Sequence, residues 1–517
     1  MRHDPLQRYW RPDDPERTPN PPPMAFRPGA GMTRTIRTAL YGAMAFVSLT
    51  AAVGCAMNPV TGRMELALVS ESQEIEMGRQ GSADVIASIG LHPDAALQAY
   101  VNRIGQALAA GTERPQLAWE FHVVDDAAVN AFALPGGFIF ITRGLLAHMT
   151  NEAELASVLA HESGHVAARH GVQQMSRQQI ASLGLGLGSV LSPVIAQYGQ
   201  AAGAGLGVLF LKYGRDDEIQ ADQLGFRYAL ANGFDTRQMI NLFEMLQRDS
   251  ELSGGGRLPE WQSTHPDPGN RITNVQGLVA ASSQDFSSKR IGGDEFLQYI
   301  DGMVYGEDPR AGYFKGTLFI HPDLEFVLQL PDGWHTQNAT DTVTGISDAQ
   351  DAMIELRGAE GTNAGDAANR FFSQDGLQGG TLSQGTIHGN RAVAGEFAAQ
   401  ADQGGSVRGV ATFIEYGGTV WSITAYTSAE QFPSHSQTFR RAIGSFERLT
   451  DPVALAVQPL LVRIADVPRA MSLQQFNAEL PSSVPLAELA IINGVDEGAQ
   501  LRAGLSLKRV IGVPIAR

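Results

Sequence analysis

The stretch VLAHESGHVAARH, Val158 to His170, is the tightest constraint in the chain. It places His161 and His165 four residues apart, with Glu162 beside the first. Positions i and i+4 of a helix share one face, so both imidazoles can address a single ion only if the segment is helical. The preceding residues support a helix. Asn151 followed by Glu154 suits an N-terminus, and Leu155, Val158 and Leu159 have helical spacing. Zinc accepts neutral imidazole nitrogens, and a catalytic site leaves one of four positions open to water. Glu162 would project beside that position, ready to take the proton of a water that attacks a carbonyl.

Two histidines need a third ligand. The run YGRDDEIQADQLGFRYAL, starting at Tyr213, offers Glu218 and Asp222, again four apart in a helical pattern. Glu218 would complete a His2Glu set. Asp222, one turn on, suits accepting a hydrogen bond from a ligand imidazole or assisting proton delivery. Such a helix face alone would read as solvated acid; beside HESGH it reads as part of one metal site. His170, five beyond His165, points off the metal face and reads as a surface or packing histidine. Upstream, NAFALPGGFIFITRGLL (Asn130–Leu146) carries a Pro-Gly-Gly turn and then alternates around Phe138–Ile141, as a strand does. That strand is either a sheet edge to which an extended substrate adds its backbone, or a buried strand without substrate contact. The residues leave both open.

With 517 residues the chain is too long for one compact core, so two or three domains are expected. Its net charge of -16 argues against binding nucleic acid. The single cysteine, Cys55, excludes an intrachain disulfide. It follows MTRTIRTALYGAMAFVSLTAAVG: two arginines, an apolar run and then small residues, the layout of a secretory signal over 32–54. This resembles bacterial lipoprotein signals, which implies cleavage before Cys55 and lipid attachment to its thiol. Ala56 follows the cysteine, which by resemblance to sorting rules implies the outer membrane. Residues 1–31 hold eight prolines and no apolar periodicity, as expected of a disordered extension and of a start codon at Met24 or Met32. No charge occurs between Arg177 and Lys212, where seven glycines and Pro193 disfavour an uninterrupted membrane span and suggest two buried or membrane-leaning helices.

Four ordered motifs, NPVTGRMELALVS, NAFALPGGFIFITRGLL, HESGH and EIQAD, together resemble the zinc metallopeptidases related to HtpX and the CAAX prenyl protease, a gluzincin family with HExxH and ExxxD signatures, in its periplasmic BepA-like lipoprotein branch. The resemblance covers about Asn58 to Arg271. It implies one zinc per chain held by His161, His165 and Glu218, Glu162 as general base and Asp222 as a second catalytic carboxylate. It also implies that His265 in STHPDPGNRI can approach the zinc, where it could act as a gate, and that Arg271 faces the active site; Asn130 and Phe138 are candidate substrate contacts on the strand reading alone. The helical-repeat tail of that branch is absent here.

The expected fold class is α+β and multidomain. A mainly helical gluzincin-type metallopeptidase domain with a small sheet occupies 55–306. An α+β module over 312–450 resembles the PsbP/Mog1-type domains. A small module over 455–517 resembles LysM in LAELAIINGV and LRAGLSLKRV, which implies peptidoglycan contact. The implied function is a zinc endopeptidase, anchored to the outer membrane in the periplasm, that acts on misfolded or misassembled envelope proteins. The competing reading is a non-catalytic envelope chaperone or scaffold with a structural metal.

Overall fold

A computed structural model describes residues 55–185, 213–252, His265, 268–400 and 405–513. The extension, the signal-like segment and most of the uncharged 177–212 stretch lie outside the described residues. Among the described residues, no helix is long and apolar enough to cross a membrane.

The segment from Cys55 to Tyr305 is mainly helical. A hairpin of β1 (Cys55–Met57) and β2 (Met64–Leu66) leads into α1 (Glu71–Ser88) and α2 (Ala95–Ala109). A three-stranded sheet follows: β3 (Glu120–Val124), β4 (Ala131–Leu134) and β5 (Phe138–Thr142). Its order is β3-β5-β4, with β5 parallel to β3 and antiparallel to β4. Phe138–Ile141 is therefore a central strand, not an edge. Its backbone is paired on both sides, and all five residues of β5 are buried. The edges belong to β3 and β4. Alternate residues explain the double burial: Ile139 and Ile141 join the main core, while Phe138 and Phe140 pack with Val85 of α1.

After α3 (Arg143–His148) comes α4 (Glu152–Ala167), the helix of the HESGH motif. It begins as the sequence predicts, with the Asn151 side chain accepting from the Glu154 amide at 2.9 Å. Every residue of α4 is buried, so it is a core helix rather than an amphipathic surface one. Helices α5 (His170–Leu185), α6 (Arg215–Ala231), α7 (Gln238–Leu252), α8 (Pro268–Ala281) and α9 (Gly293–Ile300) surround it.

Two glycines set the crossing of α4 and α6. A Cβ on Gly164 would lie 3.1 Å from the Leu224 Cβ, and one on Gly225 would lie 3.0 Å from the His161 amide nitrogen. Only hydrogen at both positions lets the backbones approach closely enough for Glu218 and Asp222 to reach the two histidines.

Strand β6 (Val304–Tyr305) ends this segment, and its partner is far along the chain. An inserted region intervenes, built on an antiparallel sheet of β7 (His335–Asn338), β8 (Thr342–Ile346), β9 (Ala352–Ala359), β10 (Leu377–Gly379), β11 (Ser383–Ile387), β12 (Asn390–Gln400), β13 (Ser406–Tyr416) and β14 (Thr419–Ser428). The order is β7-β8-β9-β14-β13-β12, with β10 and β11 both pairing with β12. One face packs on α11 (Phe432–Gly444) through Phe439 and Ile354; the other packs on α10 (Ala364–Phe372) through Ala368 and Phe413. Four short strands between Tyr313 and Arg448 form a second small sheet.

The chain then returns. Strand β15 (Leu460–Asp466) pairs with β6 on one side and with β16 (Ser506–Ile511) on the other. Helices α12 (Leu473–Glu479) and α13 (Leu486–Ile492) lie between β15 and β16. The segment expected as a free-standing 455–517 module is not separate. Phe476, Leu489, Ile492 and Val510 belong to the same hydrophobic cluster as Leu155 and Leu159 of α4. The β-α-α-β order alone does not identify it as LysM.

Candidate metal centre

Helices α4 and α6 bring His161, His165 and Glu218 together, and His265 joins them from the 253–267 stretch. One ligand atom from each of the four lies within 4.8 Å of all the others. The two Nε2 atoms of His161 and His165 are 3.0 Å apart, so both rings present the same nitrogen to one point. Glu218 Oε1 is 3.5 Å from His165 Nε2, and its Oε2 is 3.7 Å from His161 Nε2. His265 Nδ1 is 2.9 Å from Glu218 Oε1 and 3.4 Å from His161 Nε2. Four donors so close, all buried and carrying one carboxylate, are the chemistry of a metal site.

Glu162 sits at the rim. Both of its carboxylate oxygens are buried without a hydrogen-bond partner among the described residues, and Oε1 lies 3.6 Å from His265 Nε2. Burial pushes its carboxyl up from the usual range, against the pull of His265 and His161. A buried carboxylate left unsatisfied costs stability, and such an expense is typical of a group reserved for chemistry.

Asp222 holds the back of His161. Its Oδ1 is 2.9 Å from His161 Nδ1, so that nitrogen carries the proton and Nε2 faces the cluster as a lone pair. Arg271 clamps the same carboxylate, donating to Oδ2 at 2.9 Å and Oδ1 at 2.6 Å, and its other terminal nitrogen is 3.2 Å from Glu218 Oε2. Burial would raise the Asp222 carboxyl, but Arg271 and His161 outweigh it and hold it at about 2. The guanidinium also lies over the Phe243 ring at 4.2 Å.

The substrate-side residues fall differently. Phe138, central in the sheet, has no free edge to offer. Asn130 immediately precedes edge strand β4, and its buried side-chain oxygen has no hydrogen-bond partner among the described residues. A small crevice lined by Ala133, Leu134, Pro135, His165 and Tyr213 separates that edge from the HESGH helix.

His170, expected as a surface or packing histidine, is of the packing kind. It is 1 % exposed, and its Nδ1 is 2.9 Å from His165 Nδ1. The turn after α4, with Arg169 at φ 59°, swings it back under the helix, which spacing along an ideal helix does not show. Arg114 also went unread. Its buried guanidinium donates to the Val166 carbonyl at 3.0 Å and pairs with Glu74 at 2.6 Å, tying down the C-terminal turn of α4. Asn58 of the NPVTGRM run does the same, donating to the Ala168 carbonyl at 3.2 Å.

A histidine pair on one buried helix, a glutamate beside the first and a carboxylate from a crossing helix define a metallopeptidase-type centre. Residues 95–279 match the model of peptidase family M48. The beta-barrel assembly-enhancing protease of Yersinia pestis is 32% identical over 245 residues, covering 44% of this chain and 50% of that protein. The protein of the same name in Escherichia coli (strain K12) is 26% identical over 363 residues, 62% of this chain and 73% of its own. The mitochondrial metalloendopeptidase OMA1 of Schizosaccharomyces pombe is 29% identical over 231 residues, 42% of this chain and 64% of its own. The chain thus spans half the length of the Yersinia relative. Among solved structures, cyanobacterial PsbP from Synechocystis is similar with a TM-score of 0.23 and 13% identity, covering 26% of this chain and 94% of its own. The Ran-binding protein Mog1p of Saccharomyces cerevisiae has a TM-score of 0.20 and 11% identity, covering 26% of this chain and 94% of its own.

Proposed function

We infer that the chain is a zinc-dependent endopeptidase of the bacterial cell envelope that hydrolyses misfolded or misassembled envelope proteins. The observation that carries this is Glu162, buried and unsatisfied at the rim of the His161–His165–Glu218 cluster. Two imidazoles and one carboxylate suit zinc among the common divalent ions. When bound there, zinc supplies a Lewis acid that acidifies water and polarises a carbonyl. Glu162 receives the proton of the attacking water and passes it to the leaving amine. Asp222 and Arg271 hold His161 and balance the charge around the cluster. An extended substrate adds to the free edge of β4, with Asn130 offering its side-chain oxygen to a backbone N–H. Cys55 directly follows the signal-like 32–54 segment, which supports a lipid anchor to the outer membrane; a peptidoglycan contact would belong to the 455–517 segment.

His265 supports a second reading. A site closed by four protein ligands is what a structural metal requires, and so favours a non-catalytic chaperone or scaffold. The same closure describes a resting protease whose gate residue must leave before substrate enters. The two readings part on one pair of variants. For the protease, His265→Ala keeps one zinc and cleaves casein faster than wild type, and Glu162→Gln keeps the zinc and cleaves nothing. For the scaffold, His265→Ala loses zinc and no form cleaves.

A further inference from the structure

The two metal-facing histidines are held in the same way but by different partners. His161 gives its Nδ1 proton to the Asp222 carboxylate at 2.9 Å. Among the described residues His165 has no carboxylate behind it; its Nδ1 meets the Nδ1 of His170 at 2.9 Å. His170 Nε2 in turn meets Gln220 Oε1 at 2.9 Å, whereas Asp217 Oδ1 stands off at 4.0 Å.

Proton counting fixes the direction of this chain. A Gln Oε1 only accepts, so His170 Nε2 carries a proton. A neutral His170 then has a bare Nδ1, which accepts from His165 Nδ1–H. With its proton committed there, His165 has its lone pair on Nε2, the atom 3.0 Å from His161 Nε2. Tyr213 stacks on the His165 ring at 3.9 Å between centroids and 22° between planes, so ring tilt is fixed as well as tautomer. The relay also closes a ring of helices: His165 lies on α4, His170 begins α5, and Gln220 lies on α6 between Glu218 and Asp222.

We propose that His170, backed by Gln220, is the positioning residue that selects the metal-binding tautomer of His165. This rests on the assignment of His161, His165 and Glu218 as ligands. A histidine ligand whose Nδ1 proton has no acceptor populates both tautomers, and one of them cannot bind through Nε2. Outer partners of this kind typically contribute about 10–100-fold to metal affinity. The pair also explains why a neutral partner serves here. The cluster already holds Glu218, with Asp222 behind His161 and Glu162 at the rim, and a further carboxylate would add unbalanced negative charge.

The test is zinc affinity, measured on the whole chain by competition with a chromophoric chelator, together with cleavage. His170→Phe fills the space and removes the acceptor; His170→Asn restores an acceptor near the Nδ1 position. Phe should weaken zinc binding about 10–100-fold, Asn should recover most of it, and Gln220→Leu should fall between. Nitrogen-15 ring shifts of His165 in metal-free wild type should show the Nδ1–H form, a readout that stands even where His170→Phe does not fold. Wild-type affinity in a folded His170→Phe, or an Nε2–H tautomer at His165, overturns the proposal. A wild-type chain that binds no zinc at this cluster overturns the ligand assignment instead.

Discussion

The metal-bearing region and the inserted sheet differ in how their cores are assembled. The sheet between Tyr313 and Leu449 is closed in sequence: its buried residues come from that stretch, on two faces covered by α10 and α11. The metal-bearing core is open in sequence. It draws on Leu97 to Tyr305 and then on Val462 to Val510, which arrive only after the whole insertion has been traversed. The pairing of Val304–Tyr305 with Leu460–Leu461 is the seam. A domain that makes its own contacts can be gained or lost as a unit; one that borrows its last layer cannot.

The largest expected effects test where chemistry resides. Glu162→Gln should lower casein cleavage by about 10²–10⁴-fold with zinc retained. Replacing 307–458 by a short linker should leave a folded, zinc-binding protein that still cleaves casein, because the ends of the insertion lie side by side. Loss of fold or of zinc in that deletion would erase the distinction between the two regions.

Next comes the borrowed layer. Phe476→Ala and Leu489→Ala, both fully buried, should each cost about 3–5 kcal/mol and lower the temperature at which activity is lost. Phe439→Ala, on α11 against the inserted sheet, should cost a similar amount on a transition that leaves activity standing. If calorimetry shows one shared transition for all three, the regions are a single cooperative unit.

A smaller effect is expected at the helix crossing. An added methyl in Gly225→Ala meets the His161 backbone at 3.0–3.1 Å, so cleavage should fall about ten-fold and zinc affinity should drop. Gly385→Ala, where a Cβ meets nothing within 4 Å, serves as the control in the sheet.

The smallest is a pH effect at the seam. Lys508 of β16 is fully buried, donating to the carbonyls of Ala147 at 2.9 Å and Met149 at 2.5 Å. Burial pulls its ammonium from 10.5 down to about 7, against the attraction of Glu154. Between those values the unfolded chain keeps the proton and the folded chain releases it, so stability rises with pH across that window. The melting temperature of wild type should therefore climb relative to Lys508→Met from pH 7 to pH 9, by about 2–4 °C. A flat difference would place a permanent charge, or none, at that site.

What the sequence disclosed divides along the same seam. The start of α4 at Asn151, the strand at Phe138 and the convergence of HESGH with EIQAD all depend on spacing within one or two elements, and periodicity carries such information. His265 and Arg271 were reached through resemblance, since a lone histidine beside proline has no local signature. Features set by distant partners stayed hidden. The central place of β5 depends on β3 and β4 pairing around it. The burial of His170 depends on the sharp turn at Arg169, and the role of 460–511 depends on a partner strand at Val304. A boundary drawn where composition changes could not show that the chain comes back.

That return has a consequence in time. The chain is made from one end to the other, and the HESGH helix, its glutamate and Glu218 all emerge long before Lys508 reaches the carbonyls at the start of that helix. Until then the face of α7 that receives α13 is bare, and the core around the metal helix lacks its last apolar layer. Long-range closure of this kind is slow and comes late. A nascent chain, or one cut short, carries every residue of the His161–His165–Glu218 cluster and still lacks the completed body that holds them in register.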